Sequence, residues 1–346
     1  MDLEKLFHEV NAAVSGLDFK SIWPGFRPLR FALYDSETCI FDGRRIEKTD
    51  AFTANTSIEY NGEQIAIWMV QDEPEIPVLA SKIVHEMFHG FQTKQGWDCW
   101  PNEMEALYTY KYDAENLCLK LRENALLLSL LDSFDAGAYG ELLAIRKLRS
   151  VKFPNEYSCE IKFEEIEGTA NYIEWQALRQ LDRKKADALT DHMRSVMTKP
   201  EFLFPIRISS YYTGALMISA MLAAGDYSFE PASRPAIIPI LETVAPFSGE
   251  FKGEEELRRT VSDAVDAFYG DTEAIIRAAL EKNEIVLKGP AELKFVNIYN
   301  ARCSGGFITS TYFLMYSDEG QDKILQGNFV IRMADEKTID TVYRWE

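Results

Sequence analysis

Residues 83–92 read Ile83-Val84-His85-Glu86-Met87-Phe88-His89-Gly90-Phe91-Gln92. The stretch contains His-Glu-x-x-His. On an α-helix, residues four apart lie one turn apart on the same face, so His85 and His89 can hold one Zn²⁺ through their imidazoles. Glu86 stands beside them, where a general base for a metal-activated water has to be.

A helical wheel is consistent with that reading. At about 100° per residue, Ile83, Val84, Met87, Phe88 and Phe91 fall in one stripe. His85 and His89 lie opposite its centre, with Lys82 and Gln92 near them. The spacing predicts a helix that buries its apolar side and turns its histidines to a cleft. Pro77 suits the first turn, and Gly96 suits the residue just past the last one. The chain has four histidines, and the other two, His8 and His192, stand apart in sequence.

The chain has 346 residues, of which 47% are hydrophobic. That is enough for a sizeable core and for one large domain plus a small one. A net charge of −18 argues against nucleic acid and anionic membrane as partners. The first residues, Met-Asp-Leu-Glu-Lys, show no basic segment followed by an apolar one, as a secretory signal would. The longest apolar runs, near Ala125–Leu131 and Gly214–Ala224, are too short to span a bilayer. The five cysteines are scattered and odd in number, which suits reduced thiols in a cytoplasmic protein. Cys99, near the motif, reads as a half-buried thiol rather than a ligand.

Outward from the motif the pattern changes twice. Before it, Arg30–Tyr34, Thr38–Phe41, Arg45–Lys48, Phe52–Tyr60 and Glu63–Val70 read as strands. Asp42-Gly43 and Asn61-Gly62 between them are hairpin turn signals. After Gly96 the chain is mostly helical. Segments are expected at Asn102–Phe134 (one helix or two), Tyr139–Arg149, Phe163–Leu181, Arg183–Thr198 and Ser209–Ala224. Pro154 is read as a breaker. Pro231, Pro235, Pro239 and Pro246 surround a short helix at Ile237–Val244. Glu254–Phe268 and Thr272–Lys282 end the helical part. Beyond Lys282, four strands are expected at Glu292–Tyr299, Phe307–Tyr316, Ile324–Met333 and Thr338–Trp345. The fold class is therefore α+β. Residues 1–284 form the main domain, with a small antiparallel or mixed sheet over 27–72 and a helical part over 77–284. Residues 285–346 form a small antiparallel β unit.

A catalytic zinc takes three protein ligands and leaves one position open. No third histidine follows His89 closely. A Glu on a second helix is the candidate, and Phe163-Glu-Glu-Ile-Glu167-Gly-Thr-Ala-Asn171-Tyr172-Ile-Glu174-Trp supplies one. His-Glu-x-x-His followed by Glu-Gly-x-x-x-Tyr-Ile-Glu resembles the gluzincin group of zinc metallopeptidases, which includes aminopeptidase-like and thermolysin-like enzymes. The resemblance covers two helices, about thirty residues. It implies a zincin-like fold, with the active-site helix beneath a small twisted sheet and a large helical lobe. It implies Glu167 as the third ligand, and a sheet edge near Gln64–Val70 that pairs with extended substrate. It also places Asn171 where the thermolysin-like enzymes carry an Asp that orients a zinc-bound histidine. Asn171 can accept a hydrogen bond from an imidazole N–H. Glu167, Asn171 and Glu174 share one helical face. The chain departs from the group in the long gap, residues 90–166, between His89 and Glu167. Glu103 and Glu105 are nearer His89 in sequence and remain alternatives for the ligand.

A hydrolytic site also needs a donor for the oxyanion. Tyr211 and Tyr212, at the start of the Ser209–Ala224 helix, are the candidates, with His192 as the alternative. Arg207 is read as a substrate-carboxylate partner or a structural ion pair. The function expected is a zinc-dependent metallopeptidase acting on a peptide or protein substrate, with Glu86 as general base. The alternative is a zinc-containing protein that binds a peptide or protein partner without efficient hydrolysis. No Gly-x-Met-Glu-Asn stretch is present, so aminopeptidase action is not favoured.

Overall fold

The Asp42-Gly43 and Asn61-Gly62 pairs make the two tight turns their sequence asks for. Asp42, Gly43, Asn61 and Gly62 all have positive φ, which a two-residue hairpin of this twist requires. In the computed structural model, which describes residues 2–228 and 234–345, these turns join strands of a five-stranded sheet. The strands are β1 (Phe31–Tyr34), β2 (Cys39–Phe41), β3 (Arg44–Ile46), β4 (Thr56–Tyr60) and β5 (Glu63–Met69). Their order is β3-β2-β1-β5-β4, with β1 and β5 parallel and the other pairs antiparallel. The expected edge at Gln64–Val70 is not an edge. β5 sits between β1 and β4, because the Asn61-Gly62 hairpin folds β4 onto its outer side, and β4 is the free edge.

Helix α1 (Leu3–Ser15) is capped by Asp2, whose carboxylate accepts from the Glu4 and Lys5 amides. After a single turn, α2 (Phe19–Ile22), and the sheet comes α3 (Ile76–Lys94), the motif helix. It has Pro77 in its first turn and Gly96 left-handed just past its end. It packs against β5, α1 and the later helix α8 (Thr169–Leu181). The wheel predicted an amphipathic helix. Instead α3 is covered on nearly every side, and His85, Glu86, His89 and Gln92 are all buried.

The helical lobe has α4 (Glu103–Thr109), α5 (Ala114–Asp132), α6 (Ala136–Lys152) and α7 (Pro154–Phe163). Asn102, Asp113 and Asp135 cap the first three. The break expected at Pro154 is present: α6 ends at Lys152, two residues before this proline. Pro154 itself opens α7 in the first turn, where its missing N–H costs nothing. The helix then passes through a π turn, Glu164–Gly168, into α8. Helices α9 (Arg183–Val196), α10 (Ile206–Ala224), α11 (Ile238–Leu241) and α12 (Glu254–Lys282) follow. Gly225, left-handed, ends α10. α12 is one continuous helix where two were expected. Pro231 lies outside the described residues.

The C-terminal unit is a seven-stranded antiparallel sheet, not four strands. Its strands are β6 (Ile285–Val296), β7 (Arg302–Ser304), β8 (Phe307–Ser310), β9 (Phe313–Asp318), β10 (Gln321–Gln326), β11 (Phe329–Met333) and β12 (Thr338–Arg344). Two expected strands are each split by a reversal, at Tyr312 and at Gly327, both with positive φ. The sheet has its own apolar core, against which Met104, Leu107 and Tyr108 of α4 pack. The molecule is α+β. Among the described residues no helix is long and apolar enough to cross a membrane.

Candidate metal and catalytic centre

α3 brings His85 and His89 side by side, with their Nε2 atoms 3.1 Å apart. The π turn supplies the third group. Glu167 Oε2 lies 3.6 Å from His85 Nε2 and 3.3 Å from His89 Nε2. Among the described residues, His85, His89 and Glu167 are the set of donors grouped closely enough to hold a metal ion. A tetrahedral ion with ligands at about 2.0–2.1 Å has ligand–ligand edges of about 3.3 Å. The three measured edges bracket that value.

The other ring nitrogens are held too. His85 Nδ1 faces Glu174 Oε2 at 3.2 Å. His89 Nδ1 is 2.7 Å from Gln92 Oε1, and the Gln92 amide donates to the Ile166 carbonyl at 2.9 Å. With a proton on each Nδ1, both Nε2 lone pairs are free to ligate. Asn171 does not orient a histidine. Its amide donates to the Tyr211 carbonyl at 3.2 Å, and Glu174, one turn on, faces His85 instead.

The π turn divides its carboxylates. Glu164 points into the helical lobe, where it accepts from Arg146 Nη1 at 2.7 Å, Lys120 Nζ at 2.9 Å and Thr213 Oγ1 at 2.6 Å. Glu167 points the other way. Its Oε1 accepts from Arg207 Nη2 at 3.1 Å, which leaves Oε2 for the histidines. Gly168 permits the approach to α10 that this needs. A Cβ on Gly168 would stand 2.5 Å from the Gly214 Cα, and one on Gly214 would stand 2.6 Å from the Glu164 carbonyl oxygen. α10 carries Arg207 and Tyr211, so this glycine crossing sets their distance from the centre.

Electrostatics favour positive charge at the centre. Burial opposes ionisation of Glu167, but His89, His85 and Arg207 outweigh it and hold the carboxyl well below its ordinary range. Burial works against a charged His85, yet hydrogen bonds to Glu167 and Glu174 push its pKa up to about 10. Glu86 shifts the opposite way to Glu167. Burial raises its pKa, the two histidines lower it less, and Glu167 and Glu174 add to the rise. A carboxylate that gains a proton readily is what a general base needs.

Glu103 and Glu105 stand outside the donor set. Glu103 lines the cleft and accepts from Arg207 Nε at 2.8 Å. Glu105 does not line the cleft. Of the two tyrosines, Tyr211 stacks over His85, with centroids 6.0 Å apart and planes 13° apart, and lines the cleft. Tyr212, one step round the helix, stacks on Phe202 and meets His192 edge-on, away from the cleft lining. His192 does not line the cleft either. Cys99 is a free, half-buried thiol whose pKa burial pushes up to about 11.

The sequence did not single out Tyr299. It comes from the C-terminal unit and covers the Arg207 guanidinium at 4.6 Å, while Tyr211 lies 5.1 Å from the same group. No local pattern announces it, since more than 80 residues separate Tyr299 from Tyr211. Gln92 carried a weak signal, three residues after His89 on the same helix.

His85, Glu86, His89, Glu167, Glu174, Arg207, Tyr211 and Tyr299 line one cleft of about 1440 Å³. Its walls come from the β4 edge and the residues before it, from α3 and α4, and from the C-terminal sheet. Its volume exceeds the roughly 300–1,000 Å³ usual for small-molecule sites. No family model, no curated protein and no solved structure matches this chain.

Proposed function

We propose that this protein is a zinc-dependent peptidase of the gluzincin kind, with a zincin-like arrangement of sheet, motif helix and helical lobe. The observation that carries the reading is the donor triangle. His85 Nε2, His89 Nε2 and Glu167 Oε2 have edges of 3.1, 3.3 and 3.6 Å, and the ligand set of two imidazoles and one carboxylate is that of catalytic zinc. Zn²⁺ held there would lower the pKa of a water toward about 7 and polarise a carbonyl.

The chain's own residues do the rest. Glu86 takes a proton from the attacking water and returns it to the leaving amine. Tyr211, with its hydroxyl held protonated by burial and by nearby Glu167, donates to the developing oxyanion. Gln92 and Glu174 keep the histidines in the ligating tautomer. Arg207 fixes the second oxygen of Glu167. β4 offers its unpaired backbone edge to an extended chain. The size of the cleft suits a polymer better than a metabolite. Free cysteines, with burial raising the pKa of each thiol, suit a reducing, cytoplasmic setting.

A peptide library incubated with zinc-loaded protein, with and without chelator, tests the proposal by mass spectrometry. Chelator-sensitive cleavage at defined bonds is expected. Zinc bound without any cleavage would point instead to a protein that only binds peptides or partners.

A further inference from the structure

We infer that the C-terminal sheet is the substrate-selecting wall of the cleft, and that it selects peptides carrying a large aromatic or branched apolar side chain. The inference rests on the peptidase reading for its substrate class, but its geometry stands apart from the metal centre. Five aromatic side chains are exposed among the described residues: Trp100 at 42%, Phe134 at 39%, Phe295 at 41%, Tyr299 at 50% and Tyr312 at 70%. All but Phe134 line the same cleft. Apolar groups left singly in water are ordinary, whereas four aromatics gathered in one concavity mark a binding surface.

Two backbone irregularities turn these rings outward. In β6, the pairing with β9 slips between Leu293 and Phe295, which pair with Tyr316 and Met315. Lys294 is thus an extra residue, a β-bulge. Strict alternation from buried Leu293 would point Phe295 inward and Val296 outward. The bulge reverses this, so Val296 is fully buried and Phe295 faces the cleft. Tyr312 has φ of +69°, a left-handed conformation that a bulky residue rarely adopts. Its amide donates to Asn328 Oδ1 at 3.0 Å and its carbonyl accepts from the Gly327 amide at 2.9 Å. The turn is therefore pinned while the ring is the most exposed of the five. Tyr299, covering Arg207, links this lip to the catalytic centre.

An apolar lip beside a buried polar centre recognises a side chain, while the polar centre takes the backbone. Pocket discrimination sets the size of the expected preference, about tenfold or more for a large apolar group. The test uses full-length, zinc-loaded Glu86→Gln protein, so that bound peptide is not consumed. Fluorescein-labelled nine-residue alanine peptides carrying one central Phe or one central Ser are titrated by fluorescence anisotropy. The Phe peptide should bind about tenfold tighter. Adding Phe295→Ser and Tyr312→Ser should erase that preference at unchanged melting temperature. Adding Phe134→Ser instead, at the exposed aromatic elsewhere, should leave it intact. Equal binding of both peptides, or a preference that survives loss of Phe295 and Tyr312, overturns the inference. Failure of wild-type protein to cleave either peptide would count against hydrolysis alone, because the binding preference is read without it.

Discussion

Gln92 Oε1 lies 2.7 Å from His89 Nδ1, and the same side chain donates to the carbonyl of Ile166, the residue before Glu167. One amide therefore ties the histidine helix to the segment that carries Glu167 and sets the tautomer of a proposed ligand. Replacing Gln92 with Ala is expected to weaken zinc binding about ten- to a hundredfold, the usual effect of losing such a partner. Competition against a chromophoric chelator measures it. Unchanged affinity would mean that His89 needs no orienting bond.

Glu103 is the nearer carboxylate in sequence, but Arg207 holds it away from the histidines. Glu167→Ala should therefore lose stoichiometric zinc, and Glu103→Gln should keep it. Metal analysis of the purified, zinc-loaded variants decides between them. Loss of zinc from Glu103→Gln with retention in Glu167→Ala would reverse the assignment.

The crossing of Gly168 and Gly214 leaves no room for a methyl group on either side. Gly168→Ala and Gly214→Ala should each cost about 1–3 kcal/mol by overpacking, read as a lower urea midpoint. Because both substitutions strain the same contact, their double variant should fall short of the sum. Additive costs would show that the helices part freely.

Behind the centre, Lys120, Arg146 and Arg149 meet Glu123, Glu160 and Glu164 in a buried ionic cluster. Burial alone would raise the Glu164 pKa, but Arg146 and Lys120 overcome it and depress it far below its ordinary 4.5. Glu160 is lowered in the same way, by Arg149 and Lys120 against burial. A depressed folded pKa stabilises above the unfolded value and is lost as pH falls. Urea stability should thus hold from neutral pH down to about 4.5 and decline below it. Arg146→Met should cost about 3–5 kcal/mol at neutral pH, because it leaves buried carboxylates short of a partner. An acid-insensitive midpoint in the wild type would contradict this.

Much of the fold and the site was legible locally. The two hairpins were, because Asp-Gly and Asn-Gly meet a backbone demand within two residues. The His-Glu-x-x-His helix and Glu167 were legible because both lie in short motifs. Asn171 does not take the place the resemblance implies, because that place assumes an unbroken α-helix from Glu167 onward. The π turn before Thr169 re-phases the helix beyond it, so that Glu174 meets His85. Tyr211 and Tyr212 were inseparable in sequence, yet adjacent helical residues point about 100° apart and only one faces the cleft. Phe295, Tyr299 and Tyr312 gave no sign, since a bulge, a long-range ring contact and a strained turn place them. The seven-stranded sheet was only partly hidden: nothing local marks the reversal at Tyr312, but Gly305-Gly306 and Gly327-Asn328 are turn pairs between strands.

Zinc-loaded wild type and Glu86→Gln, assayed together for bound zinc and for turnover of one peptide from the library, test the central claim most directly. Both should carry one zinc, and the variant should turn over about 10²–10⁴-fold more slowly. A variant that keeps zinc and cleaves at the wild-type rate would contradict the role of Glu86 and the mechanism built on it.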